Sequence, residues 1–356
     1  MRKRGLLLFV WNLLGMVVAE PQVPCFFIFG DSLSDSGNNN NLVTSARANY
    51  PPYGIDFPGG PTGRFCNGRT AVDFIAQFLG FDHFIPPYSS VRGREILSGV
   101  NYASGGAGIR DETGQNLGGR ISLSRQVVNY RAVVEQLKRY LGNETSVTNY
   151  LSKCIYSIGI GGNDYINNYF LPAFYPTSRL YSPQQYATLL IQQYSEQLKI
   201  MYNYGAKKVA LIGLLDVGCI PREVAHSNGT CNSSINSVVG LFNAKLPSLV
   251  DSFNKNLYGA KFIFVNISAI SNDIERNLQA YGFMVTNTGC CSVNRSTGEE
   301  KCLPFGIPCQ NRSQHIFWDD VHPTEALHLI YARGMYNSSS SSTYTYPVDI
   351  QGLAQQ

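Results

Sequence analysis

Charge is scarce in this sequence. Of its 356 residues, 15% are Asp, Glu, Lys or Arg. No basic run or patch is present past the extreme N-terminus, which argues against nucleic acid as a partner. Nor is there a long apolar run past that point, so no later segment is predicted to span a membrane. Internal repeats are absent, and no Pro/Ser/Gly linker separates candidate domains. The cysteines lack the CxxC…CxxC spacing of a zinc site. His315 and His322 are seven apart, which is not a helical i, i+4 ligand pair. No G-x-S-x-G elbow occurs, which argues against the ordinary α/β-hydrolase fold. No G-x-G-x-x-G or P-loop spacing points to a nucleotide.

What is present begins with MRKRGLLLFVWNLLGMVVAE. Three basic residues precede a 14-residue apolar stretch, Leu6–Ala19, that is too short to span a bilayer. Val17-Val18-Ala19 supplies a small residue for cleavage near Glu20, so residues 1–19 read as a secretory signal peptide. Losing Arg2, Lys3 and Arg4 takes Lys+Arg from 28 to 25 against 24 Asp+Glu, a net charge of +1. The nine cysteines then read as a disulfide set in an oxidising compartment. Cys219 and Cys231 are placed to close a short loop. Cys290, Cys291, Cys302 and Cys309 make two further bridges in an order the spacing leaves open. An odd count leaves one thiol over, with Cys66, Cys25 and Cys154 as the candidates. Seven sequons, at Asn143, Asn228, Asn232, Asn266, Asn294, Asn311 and Asn337, fit the same route. The expected location is extracellular, in the apoplast or cell wall.

Five short apolar runs read as buried parallel strands: 25–29, 96–102, 154–160, 208–214 and 261–265. Helical spacing is predicted over 70–79, 123–141, 182–204 and 235–257, with a last helix opening at Pro323. NSSSSS at 337–342 reads as an exposed loop. Strand and helix in alternation predict one α/β domain over 22–356, with a mostly parallel sheet and helices on both faces. In such sheets ligands bind beyond the C-terminal strand ends. The reactive residues fall there. FGDSL, with Ser32, follows the first strand. NYASGGAGI follows the second, YSIGIGGNDY the third, and FWDDVHPTE lies near the C-terminus.

Serine hydrolysis needs a hydroxyl, a base, a group to orient the base, and donors for an oxyanion. Ser32 supplies the hydroxyl, His322 the base and Asp319, three residues before it, the orienting carboxylate. Oxyanion donors are the N–H groups of Ser32 and Gly106 and the Asn163 amide, with Gly105 a rival to Gly106. Any one of these residues alone reads as a turn residue or a helix cap. Their joint occurrence after elements of one sheet is what points to catalysis. Asp320 is a rival to Asp319. Asp31 is read as a support of its loop. His83, His226, His315 and His328 are read as surface or structural residues.

FGDSLSDSGNNN, NYASGGAGI, GGND and WDDVHPT resemble the four sequence blocks of the GDSL esterase/lipase family, also called SGNH hydrolases. YPPYGIDFPGGPTGRFCNGRTAVDFIAQFLG and the tail YPVDIQGLAQ are similar to its secreted plant branch. The resemblance implies a flavodoxin-like three-layer α/β/α sandwich with a mostly parallel five-stranded sheet. It implies ester hydrolysis without a metal or cofactor, on a small-molecule or polymer ester. The family's Ser, Gly, Asn and His fall on Ser32, Gly106, Asn163 and His322, and its Asp on Asp319. An acyltransferase, or a polysaccharide acetylesterase acting on cell-wall or sugar esters, is the alternative on the same site.

Overall fold

The computed structural model describes residues 20–291, 301–338 and 343–356. The signal-peptide segment, Asn294 and most of the serine run lie outside them. Four parallel strands form the centre: β1 (Phe26–Gly30), β2 (Ile155–Gly159), β3 (Lys208–Ile212) and β4 (Lys261–Val265). A two-residue strand, β7 (Thr345–Tyr346), pairs antiparallel with β4 and closes the order β1-β2-β3-β4-β7. A separate two-stranded sheet joins β5 (Val285–Gly289) to β6 (His315–Phe317).

Among the described residues, twelve α-helices accompany these strands. In chain order they are α1 (Ala71–Phe78), α2 (Leu123–Leu141), α3 (Glu144–Leu151), α4 (Gly162–Asp164), α5 (Thr177–Leu180) and α6 (Pro183–Asn203). There follow α7 (Pro221–His226), α8 (Ser233–Asn243), α9 (Leu246–Asn256), α10 (Ile267–Arg276), α11 (Glu325–Tyr336) and α12 (Ile350–Gln355).

Strand alternation sorts the core into two layers. Phe27, Phe29, Tyr156, Ile158, Val209 and Leu211 pack with α2, α6, α8 and α9. Phe26, Ile28, Ile155, Ala210 and Ile263 face the other way, toward α1, α10, α11 and α12. The expected three-layer α/β/α sandwich with a mostly parallel five-stranded sheet is what the structure contains. No helix among the described residues is long and apolar enough to cross a membrane.

Three local expectations are corrected. Residues 96–102 are not a regular strand. A 3-10 helix covers Gly93–Ser98, and Gly99 then turns at φ 115° so close to β1 that a Cβ there would lie 1.9 Å from the Phe26 carbonyl oxygen. The chain beyond it still runs parallel along the free edge of β1, with bonds from Ile28 N–H to Val100 O and from Tyr102 N–H to Ile28 O. This edge segment completes the 2-1-3-4-5 order of doubly wound folds. The predicted helix over 235–257 is two helices. Pro247, at the second position of α9, cannot donate to the preceding turn, so the chain restarts there. Pro323 does not open the last helix. Thr324 caps it, accepting from Leu327 N–H, and Pro323 lies one residue outside.

Candidate active site

β1 ends at Gly30, whose N–H and C=O are both gripped by the Gln126 side chain of α2, at 3.0 and 2.8 Å. A Cβ at Gly30 would lie 2.6 Å from the Gly159 carbonyl oxygen, so only glycine lets the two strand ends lie this close. Ser32 therefore leaves the sheet at its C-terminal edge. Its Oγ is 2.8 Å from His322 Nε2. His322 Nδ1 lies 2.8 and 3.0 Å from the two carboxylate oxygens of Asp319. A carboxylate only accepts, so Nδ1 carries the hydrogen and Nε2 is left to accept from the Ser32 hydroxyl.

Asp319 is fully buried and fully engaged. Its Oδ1 accepts from the N–H groups of Val321 and His322, and its Oδ2 accepts from Tyr53 Oη at 2.6 Å. The Phe65 ring packs on the imidazole at 4.9 Å between centroids. The main-chain carbonyl of the neighbouring Asp320 accepts from Arg222 N–H.

Asn163 sits in α4, just beyond β2. Its Oδ1 accepts from the Asn167 side chain, and its Nδ2 donates to Ala107 O at 3.0 Å, which leaves a second amide hydrogen for a ligand. The Gly105 N–H is taken by Asp35 Oδ2 at 2.9 Å. Gly106, at φ 76°, lines the cavity beside Ser32, Asn163 and His322. Of the two glycines, Gly106 is thus the one with an uncommitted position on the cavity. The cavity measures about 390 Å³, and its walls are mainly apolar.

The SDSGNNN tract is the scaffold of this edge. Asp35 Oδ1 accepts from the N–H groups of Gly37 and Asn38. The Asn38 amide donates to the carbonyls of Asn101 and Ala103, and the Asn39 amide to those of Ala46 and Gly105. Asp164 likewise accepts from Ile109 N–H, Arg110 N–H and the Thr113 hydroxyl. Burial pushes the Asp31 carboxyl up to about 7, against the Leu33 N–H and the His322 charge that pull it down. Burial likewise pushes Asp35 and Asp164 up to about 6 against their backbone donors.

Other residues also find their places. Four disulfides are present: Cys25–Cys154, Cys219–Cys231, Cys290–Cys309 and Cys291–Cys302. The thiol left over is Cys66, buried, donating to Gly68 O. Asn143, Asn228, Asn311 and Asn337 are exposed, and Asn232 and Asn266 are half-buried N-caps of α8 and α10. His83 is on the surface beside Asp82. His328 is buried in the cavity wall, where burial pushes its imidazole down to about 3. Sequence reasoning missed Tyr53, Gln126 and Asp35. Only Asp35 had a local signal, an acid in a Ser/Gly/Asn turn.

Residues 26–335 match the family model for GDSL-like lipase/acylhydrolase. The GDSL esterase/lipase At1g29670 of Arabidopsis thaliana is 56% identical over 339 residues, covering 95% of this chain and 93% of the relative. At4g18970 of the same plant, likewise a GDSL esterase/lipase, is 53% identical, covering 96% of this chain and 95% of its own. A solved structure of a GDSL-like lipase from Parabacteroides merdae aligns at 15% identity over 88% of this chain and 94% of that one, with a TM-score of 0.38, too loose an overlap to bear on the site.

Proposed function

Since the chain belongs to the GDSL-like lipase/acylhydrolase family and is an ester-hydrolysing enzyme, we propose that it cleaves carboxylic esters through Ser32, His322 and Asp319. The observation that carries this reading is the unbroken hydrogen-bond chain from Ser32 Oγ through the imidazole to Asp319, opening on an apolar cavity. Ser32 Oγ attacks the ester carbonyl carbon while its proton passes to His322 Nε2. Negative charge collects on the carbonyl oxygen, which the N–H groups of Ser32 and Gly106 and the Asn163 amide receive. The C–O bond to the alcohol breaks, and the alcohol leaves with the proton from Nε2. Water then gives a proton to His322 and its oxygen to the acyl carbon, freeing the acid and restoring Ser32. Asp319 holds the imidazole in one tautomer and stabilises its protonated form.

Residues 22–356 act as one catalytic unit in this reading, with 1–19 a signal peptide removed on export to the apoplast or cell wall. The disulfides and the exposed sequons support export. Ser32→Ala is expected to cut kcat for p-nitrophenyl esters on the order of 10⁶-fold, with an unchanged circular-dichroism spectrum. Turnover within tenfold of wild type would sink the mechanism. A p-nitrophenyl ester series beside acetylated cell-wall polymer places the substrate, and an added alcohol acceptor separates hydrolysis from acyl transfer.

A further inference from the structure

The cavity at Ser32 has an open side and a closed side. On the open side lie Leu117 and Phe174, the latter 69% exposed. On the closed side the walls come from the sheet and from α11. The buried Ser157 and the half-buried Gly159 and Ile212 line it from β2 and β3, and the buried His328, Tyr331 and Met335 from α11. The cause is visible in the strand alternation. Ile155, Ser157 and Gly159 share the face of β2 that looks toward α11, while the opposite face carries Tyr156 and Ile158. Two small residues thus stand where large ones would fill the space between the sheet and α11. Across the gap, positions 328, 331 and 335 recur at the spacing of one helical face. They span seven steps along the helix, about 10 Å of length. Tyr331 points its hydroxyl away to Ser271, at 2.9 Å, and His328 is neutral at working pH, so the slot carries no charged wall from α11.

We propose that this closed arm is an acyl-chain slot, which takes a straight apolar chain of about eight carbons at about 1.3 Å per carbon and ends at Met335. The proposal rests on the reading of Ser32 as nucleophile. The order of bond breaking assigns the arm. The alcohol must depart before water enters, so it belongs on the open side. The acyl group stays on Ser32 through both steps, so a dead end suits it. Chain-length preference then resides in small residues of β2 and one face of α11 rather than in the loops around the mouth.

The test has a binding arm and a turnover arm. Methyl esters of butanoic, hexanoic, octanoic and dodecanoic acid are titrated by calorimetry into Ser32→Ala protein. Affinity is expected to rise about fourfold per methylene and to level off near eight carbons. In the active protein, Ser157→Leu is expected to lower the ratio of kcat/KM for p-nitrophenyl octanoate to that for the acetate at least tenfold. Met335→Ala, which enlarges the slot and does not depend on the fate of the Ser157 variant, is expected to move the preferred length upward. A flat acyl series, or a ratio unchanged in both variants, overturns the slot. So does a length dependence found with alkyl acetates and absent from methyl alkanoates, because it would place the chain on the alcohol side. Full turnover by Ser32→Ala would instead overturn the nucleophile reading, and the calorimetric series would still decide the slot.

Discussion

Ser32 and His322 reach the same cavity on loops of different construction. The loop after β1 has no covalent brace. It is held by side chains bonded to main chain, with Asp35 on three N–H groups and Asn38 and Asn39 each on two carbonyls. The loop after β6 is fastened through cysteine. Cys290 and Cys291 donate to the carbonyls of Phe317 and Trp318, and each is bridged onward, to Cys309 and to Cys302. Cys302 then reaches the site, its N–H donating to Tyr53 Oη, which holds Asp319. A nucleophile loop of buried carboxylates and amides should respond to pH and to isosteric change. A base loop braced by disulfides should respond to loss of the cross-link.

The largest effect should come from Asp35→Ala. Three buried N–H groups lose a charged or shared acceptor, at about 1.5–3 kcal/mol each for bonds to charged groups, so about 5 kcal/mol or more of stability is at stake. Activity should fall at least about a hundredfold, since a displaced nucleophile of about 1 Å already costs that much. Urea unfolding and kcat on a short ester check it. Losses under threefold in kcat would show that the loop is held elsewhere.

Next comes Asp31→Asn, read in pH. The native Asp31 carboxyl, at about 7, lies above its ordinary 3.8, so the folded protein keeps a proton that the unfolded chain releases. The stability this contributes is complete below pH 4 and is lost as pH rises through 7. For a shift of this size it is on the order of 4 kcal/mol. Asn does not titrate, so the variant's urea midpoints between pH 4 and 8 should fall less steeply than those of the wild type. An unchanged slope would remove Asp31 from the account.

On the other loop, Cys291→Ser with Cys302→Ser should cost about 3 kcal/mol for a closure of 11 residues. The pH slope set by Asp31 should stay as it was. A changed slope would mean that the two loops are not independent.

Legibility followed the same division. The four central strands announced themselves by apolar runs, and the residues after them by position, because an open parallel sheet sends its strand ends to one edge. The short β5, β6 and β7 carried no such run and were not predicted. Ser32 and Asn163 could be found by position, whereas Asp319 and His322 follow β6, outside the central sheet, and were found by their spacing of three residues. The run at 96–102 looked like a strand and is an irregular edge, because Gly99 must pass the Phe26 carbonyl, and no local pattern encodes that approach. Tyr53 and Gln126 were invisible, being 266 and 96 residues from the groups they hold. The closed arm of the cavity was equally hidden. Ser157 and Gly159 are unremarkable in a strand until α11 is known to lie across from them.

Tyr53→Phe should show the smallest effect and the most discriminating one. Asp319 accepts from four donors, Tyr53 Oη, His322 Nδ1–H and two main-chain N–H groups, so removing the phenol leaves three. The loss should be about 1.5 kcal/mol of stability and no more than about tenfold in kcat, with KM little changed. The sharper measurement is the double-mutant cycle with the Cys291/Cys302 pair. Cys302 reaches Asp319 through Tyr53, so once the phenol is gone the bridge has lost its route to the carboxylate. The combined effect on kcat should therefore fall short of the product of the two separate effects. Effects that multiply, within the ~0.3–0.5 kcal/mol expected of independent sites, would mean that the bridge steadies the base loop without acting through Tyr53.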